Sequence, residues 1–222
     1  MDDAPTPSVA AFDLDGTLTE GGSVFPWLRE IAGSSAVLRS SLRHGGPLIV
    51  GAIRSGSSAD GAKEQLFLDL LGGRDLEEVS DESRRFALDH LERKARAHVL
   101  ARLELHRGQG HDVVIVSASP QIYVDVVAEA VKATGALGTR LAVDPLGYLT
   151  GGYLGQNCRG TEKMRRLREW IEERHYDVEP VVYAYGNSRG DRRMLESATH
   201  PYNVGRLGLL GALRRYPRLP RG

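Results

Sequence analysis

Apolar positions along this chain follow two rhythms. Short runs of strand length occupy residues 9–14, 113–116, 140–143 and 181–185, with a weaker run near 202–204. Segments with apolar residues at helical spacing fall between most of them, at 121–132, 163–174 and 189–197. That alternation predicts an α/β architecture, a parallel sheet with helices on both faces. The tetrapeptide Asp144-Pro145-Leu146-Gly147 reads as a turn joining residues 141–143 and 148–150 into a short β-hairpin.

A single crossover helix does not follow the first strand. Residues 27–31, 48–53, 64–71 and 86–105 carry apolar side chains at i, i+3, i+4 spacing. Gly33, Gly45-Gly46, the Ser-rich stretch 55–58 and Gly72-Gly73 punctuate them. The pattern predicts an inserted helical subdomain over 21–102, entered through a Gly21-Gly22 hinge. The core would then comprise residues 1–20 and 103–222. There is no internal repeat.

Composition narrows the class. The chain has 222 residues, of which 41% are hydrophobic and 26% charged, the profile of a globular protein. Lys+Arg and Asp+Glu are 29 each, so no net field attracts nucleic acid or an anionic membrane. The one cysteine, Cys158, cannot form an internal disulfide, and a reducing cytoplasm is the expected setting. The acidic start Met1-Asp2-Asp3-Ala4-Pro5 lacks the apolar stretch of a signal peptide, and no run approaches the length of a membrane span. Residues 206–222 hold five Arg and no acid. They read as a solvated, frayed terminus, with peripheral lipid contact as the alternative.

The chemistry concentrates at strand ends. Asp13-Leu14-Asp15-Gly16-Thr17 follows the first apolar run, and carboxylates two residues apart on a strand point to one face. One can attack, the other can carry a proton, and a cation can be held between them. The strand 113–116 ends in Ser117-Ala118-Ser119-Pro120. There Ser117 offers a hydroxyl at an anion-binding helix start, and Ser119 reads as an N-cap with Pro120 in the first turn. Lys163 opens a later helix and can hold a phosphate oxygen. In Gly186-Asn187-Ser188-Arg189-Gly190-Asp191, Asn187 and Asp191 are hard oxygen donors of the kind Mg²⁺ prefers. Ligands of a parallel sheet bind outside the carboxyl ends of its strands, where all these groups can meet.

In this order and spacing the motifs resemble the haloacid dehalogenase-like hydrolase superfamily over nearly the whole chain. The helical insert resembles the C1-type cap of subfamily I, and the second and fourth motifs resemble subfamily IB, the phosphoserine-phosphatase-like group. The resemblance implies a Rossmann-like core and a Mg²⁺-dependent phosphatase acting on a small phosphorylated substrate. Asp13 would become an aspartyl-phosphate, and Asp15 would protonate the leaving oxygen and then activate water. Ser117 and Lys163 would hold phosphoryl oxygens, in a loop environment formed by Leu14, Gly16, Thr17, Ala118 and Ser119. The metal set would be Asp13, Asp15 through its carbonyl, Asn187 and Asp191. Asp15 favours phosphate esters, because relatives that cleave carbon–halogen bonds lack it and ion pumps carry Lys there. Asn187 stands where the family often has Asp, which removes one negative charge. Phosphoserine phosphatases carry an acid near the position of Gly22 to pair with the substrate ammonium. Its absence at Gly22 favours phosphorylated alcohols, polyols or lipid headgroups over phosphoserine; the alternative is a phosphoserine phosphatase in which Glu20, two residues earlier, reaches the ammonium through the Gly-rich hinge.

Other readings exist. Gly186–Gly190 also fits the Gly-x-Ser-x-Gly nucleophile elbow, which would make Ser188 the nucleophile of an esterase with Asp191 or Glu196 and His200 downstream. A non-catalytic binding protein that kept the fold is a further alternative. The histidines, including His106 and His111, show no zinc-ligand spacing with the one cysteine. In the insert, Arg54, Lys63, Arg84 and Arg85 are either specificity groups or surface charges.

Overall fold

A computed structural model describes residues 6–44, 59–205 and 213–220. At its centre lies a five-stranded parallel sheet in the order β3-β2-β1-β6-β7. These strands are β1 (Ser8–Phe12), β2 (Asp112–Pro120), β3 (Gly135–Thr139), β6 (Val181–Gly186) and β7 (His200–Asn203). The central strand β1 pairs Ala11 with Val114 on one side and with Ala184 on the other. Alternate residues of these strands feed two cores. Ala10, Phe12, Val113 and Ile115 pack on one face, and Val9, Ala11, Val114, Val116 and Ala184 on the other. The predicted α/β, Rossmann-like core with helices on both faces is what forms.

The expected helical stretch after β1 contains α1 (Val24–Ala32), α2 (Ser34–Arg43), α3 (Ala59–Leu71) and α4 (Leu76–Lys94). The predicted helical run at 48–53 lies outside the described residues. Helix α4 starts on Asp75, whose side chain accepts from the Glu78 amide at 3.0 Å. Its first turn is acidic and its last holds Arg93 and Lys94, so both ends suit the helix dipole.

The continuous pattern read over 86–105 is two helices. Ala95 is extended, and α5 (Ala97–Gly108) follows. Tertiary pairing makes this break, since neither Gly nor Pro stands there. Thr19 bridges Ala95, and the Arg96 amide donates to the Leu18 carbonyl at 2.9 Å. The sequence-based boundary at 102 therefore falls inside α5, whose His106 reaches Tyr185 of β6 at 2.7 Å.

The hairpin forms as expected, with β4 (Leu141–Val143) antiparallel to β5 (Leu149–Tyr153). It docks against the insert, where the Leu149 amide donates to the Arg74 carbonyl and the Gly73 amide to the Leu149 carbonyl, both at 2.8 Å. The remaining helices are α6 (Gln121–Ala130), α7 (Thr161–Glu172) and α8 (Arg192–Glu196). Strand β3 escaped prediction because its sequence, Gly-Ala-Leu-Gly-Thr, carries little apolar signal. A Cβ at Gly135 would lie 2.5 Å from Trp170 Nε1, so glycine is what lets α7 pack close to this edge strand.

The reading of a frayed C-terminus is corrected for residues 213–220. Leu213 and Leu219 are buried. The Asn203 amide donates to Pro217 O at 2.8 Å, and Leu219 N donates back to Asn203 O at 3.1 Å. Apolar residues spaced among the arginines anchor the segment. Residues 206–212 and 221–222 of that expectation lie outside the described residues. Among the described residues no helix is long and apolar enough to cross a membrane.

Candidate active site

The carboxyl ends of β1, β2 and β6 meet at the loop that carries Asp13 and Asp15. The Asp13 amide donates to Tyr185 O at 3.0 Å, which fixes the residue as the chain leaves the sheet. The loop then folds back tightly, with Thr17 N donating to Leu14 O and Leu18 N to Asp13 O, each at 3.2 Å. Thr17 Oγ1 donates to Asp13 Oδ2 at 2.7 Å, and Lys163 Nζ to Asp13 Oδ1, also at 2.7 Å. Both carboxylate oxygens are thus oriented by named donors.

Lys163 reaches Asp191 Oδ1 as well, at 2.6 Å. Lys163 is 2% exposed, Asp13 5% and Asp191 1%, so one buried ammonium serves two buried carboxylates. Such a group is net negative and poorly hydrated. Burial pushes the Asp13 carboxyl up to about 7, the charge of Asp191 pushes the same way, and Lys163 opposes both. Asp191 is lowered despite its burial, because Lys163 and the Ser188 groups hold its ionised form. The difference follows from bonding. Asp191 Oδ2 also accepts from Asn187 N, Ser188 N and Ser188 Oγ, at 3.1, 2.9 and 2.9 Å. The two carboxylates hold Lys163 protonated, against the effect of its burial.

Helix α7 presents Lys163 through a second charged lock. Arg166 Nε donates to Glu162 Oε1 at 2.7 Å, while its Nη atoms donate to Gly138 O at 2.6 Å and Gln156 O at 2.8 Å. Arg165 first, then Arg166, hold Glu162 down to about 2.

Asp15 belongs to a different environment. It is half-buried, its Oδ1 accepting from Ser23 N at 2.8 Å and its Oδ2 from Ser119 Oγ at 2.6 Å. Ser23 Oγ lies 3.2 Å from Ser119 Oγ and 2.8 Å from the Tyr123 hydroxyl. The reading of Ser119 as an N-cap is therefore corrected. Its backbone belongs to β2, α6 begins at Gln121 after Pro120, and the Ser119 hydroxyl is turned to Asp15. Ser117 is buried, and its Oγ accepts from Ser119 N at 3.1 Å.

Asn187 packs against the loop of β1. Gly16 has φ +81, and a Cβ there would overlap Asn187 Nδ2. Asn187 Oδ1 is buried with no hydrogen-bond partner among the described residues. An orphaned hard oxygen beside a net-negative carboxylate group fits a divalent oxygen-binding cation such as Mg²⁺. Asp191 differs from Asn187, because its Oδ1 already accepts from Lys163 and its Oδ2 from the Asn187–Ser188 loop.

The esterase alternative loses its nucleophile. Ser188 Oγ donates to Asp191 and accepts from Gly190 N at 3.2 Å, closing a capping box at the turn Arg189–Asp191. His200, its proposed partner, stacks instead on Tyr183 with centroids 4.7 Å apart. His106 and His111 do meet, with Nδ1 atoms 2.8 Å apart, but beside the Tyr183 and Tyr185 rings.

Sequence reasoning left several neighbours of the site without a role. Lys63, grouped with possible surface charges, is buried, and its Nζ donates to Ala118 O at 2.8 Å and Asn157 Oδ1 at 2.7 Å. Thr139 Oγ1 shares those two acceptors. Arg84 behaves as a surface charge, 55% exposed and paired with Glu129, and Arg85 is also exposed. Arg54 lies outside the described residues. Ser23 and Tyr123 carried no motif signal; only the fold brings them to Asp15.

The chain is similar to several known proteins. The profile of the haloacid dehalogenase-like hydrolase family matches residues 10–196. Protein CicA of Caulobacter vibrioides is 34% identical over 197 residues, covering 86% of this chain and 83% of its own. A Mycobacterium tuberculosis protein named "Probable phosphatase Rv3661" is 30% identical over 203 residues, covering 89% of this chain and 69% of its own. Among solved structures, a phospho-aspartyl intermediate analogue of phosphoserine phosphatase has the same fold, with a TM-score of 0.64 at 20% identity, covering 89% of this chain and 86% of that one. Arranged on this sheet, and matched over most of its length, the chain belongs to the haloacid dehalogenase-like hydrolase family.

Proposed function

We propose that this hydrolase is a Mg²⁺-dependent phosphomonoesterase, cleaving a small phosphorylated metabolite or headgroup through an aspartyl-phosphate on Asp13. The observation that carries the reading is the separation of its two loop carboxylates. Asp13 is buried, charge-compensated by Lys163 and oriented by Thr17. Asp15 is half-buried and held only by neutral donors. The first environment suits a nucleophile, the second a proton carrier.

In the proposed reaction an Asp13 oxygen forms a bond to phosphorus as the ester P–O bond breaks. Asp15 delivers its proton to the leaving alcohol oxygen. Asp15 then takes a proton from water as that water attacks phosphorus, releasing phosphate and restoring Asp13. Lys163 and Ser117 hold phosphoryl oxygens, and Leu14, Gly16, Thr17, Ala118 and Ser119 shape the loops around them. Asp13, the Asp15 carbonyl and Asn187 Oδ1 would hold the cation, with Asp191 completing the set through its charge and its grip on the Asn187 loop. When bound, the cation offsets repulsion between these carboxylates and a phosphate dianion.

The insert expected over 21–102 acts as the cap over this site, its end set at the break at Ala95 because 102 lies inside α5, and the rest of the chain is the core. Phosphoserine is disfavoured, because exposed glycines, Gly21 and Gly22, stand where an ammonium partner is needed. The cytoplasm is the proposed setting, in keeping with the single buried thiol of Cys158. The test is release of p-nitrophenol from its phosphate ester, which should stop with a chelator and resume with added Mg²⁺. Chelator-insensitive release would remove the metal from the account. Comparing kcat/KM for phosphoserine and glycerol phosphate tests the substrate class, and a clear preference for phosphoserine would refute it.

A further inference from the structure

The buried face of α4 runs through Val79, Ser83, Phe86, Ala87 and His90 toward the Asp15 loop. Trp27 Nε1 donates to Ser83 Oγ at 2.8 Å. One turn on, Phe86 meets Tyr123 edge-on at 5.7 Å, and the Tyr123 hydroxyl joins the serine network of Asp15. His90 ends the stripe, stacked on Phe86 at 5.2 Å. One further turn brings the chain to Lys94, whose carbonyl accepts from Glu20 N at 2.8 Å, while Ala95 bridges Thr19. His90 therefore faces the segment that follows Asp15.

His90 is 8% exposed, and its Nε2 has no hydrogen-bond partner among the described residues. A buried polar atom left unpaired opposes folding, and a phenylalanine would make the same stack without that penalty. Burial holds the imidazole below its ordinary range, and the Asp15 charge opposes this only in part. Burial thus favours the neutral ring, which suits a neutral hydroxyl.

We propose that His90 is a specificity-determining residue whose Nε2 hydrogen-bonds a hydroxyl on the alcohol portion of a polyol phosphomonoester. This rests on the phosphomonoesterase reading above. The ester oxygen meets Asp15, and the polyol extends toward α4. With glycines rather than an acid at the cap entry, a hydroxyl-bearing alcohol is the class that satisfies both sides.

The experiment compares wild type, His90→Phe and His90→Gln on glycerol phosphate and on p-nitrophenyl phosphate, with Mg²⁺ present and melting temperatures recorded. His90→Phe keeps the ring stack, so it should melt no lower than wild type. It should reduce kcat/KM for glycerol phosphate roughly five- to tenfold, mainly through KM, and change p-nitrophenyl phosphate by less than about twofold. His90→Gln should recover part of the loss. Equal losses on both substrates, or no loss on either, overturn the proposal. Wild-type cleavage of p-nitrophenyl phosphate but not glycerol phosphate also overturns it, leaving the phosphatase reading standing. Cleavage of neither substrate defeats the phosphatase reading itself, and the role of His90 falls with it.

Discussion

Gly16 and Asn187 occupy each other's space: the missing side chain of Gly16, at φ +81, is where the Asn187 amide rests. Gly16→Ala is therefore expected to strain the loop and push Asn187 off the site. The expected destabilisation is about 1–2 kcal/mol from backbone conformation alone, with a larger relative loss of Mg²⁺ affinity. Urea unfolding and a Mg²⁺ titration measure the two effects. Unchanged Mg²⁺ binding in a folded Gly16→Ala protein would contradict this contact.

Lys163 stands between Asp13 and Asp191, and removing it leaves two buried carboxylates without their shared cation. Lys163→Met should destabilise the protein by about 3–5 kcal/mol at pH 7.5, and activity should be lost. Asp13 already sits high, at about 7, from burial and from Asp191. Without the ammonium it rises further, so protonation at mildly acidic pH relieves the repulsion. The stability deficit of Lys163→Met should therefore shrink between pH 7.5 and 5.5. Thermal unfolding at both values checks the sign, and a deficit that grows in acid would contradict the shared-cation description.

Much of this arrangement was legible in the sequence, for a local reason. Asp13, Asp15, Asn187 and Asp191 lie in short segments directly after apolar strands, so strand periodicity and turn chemistry place them without knowledge of the fold. What escaped depends on packing. The break at Ala95 is imposed by Thr19 and Leu18 from the other end of the insert. Ser119 looked like a cap because Ser-Pro before a helix is cap chemistry, yet its hydroxyl meets Asp15, distant in sequence. Lys63 reads equally as a specificity group or a surface charge in the sequence, and only a helix brings it onto the Ala118 carbonyl. Ser23, Tyr123 and His90 are ordinary residues in ordinary helix-forming sequence, and only the docking of the insert gives them a role.

Asn187 supplies an uncharged oxygen that has no partner among the described residues. Asn187→Asp adds a negative ligand to a group that is already net negative. Calorimetric titration should show tighter Mg²⁺ binding, with slower turnover if product release becomes limiting. An unchanged affinity would mean that this side chain does not touch the metal.

The aromatic layer beneath the sheet predicts an acid response. Burial first, then His111 and Arg102, hold His106 down to about 4 from an ordinary 6.5. As pH falls, the unfolded chain takes up this proton before the folded one does. The resulting stability is complete above about 6.5 and is lost as pH falls toward about 4. His90, lowered by burial, acts in the same direction. Urea midpoints at pH 7.5 and 5 should fall more steeply for wild type than for His106→Asn. Equal slopes would remove His106 from the acid response.

The central claim is that Asp13 forms a covalent bond to phosphorus, and mass spectrometry of the intact protein and of its peptides, after acid quench of a turnover mixture, tests it most directly. With Mg²⁺ and excess p-nitrophenyl phosphate, the wild type should show an adduct of one phosphoryl group on the peptide containing Asp13. Asp15→Asn should accumulate more of it, because the same residue activates the hydrolytic water. Asp13→Asn should show none and should not turn over. A fully active Asp13→Asn protein, or an adduct on Ser188 in place of Asp13, would contradict the account.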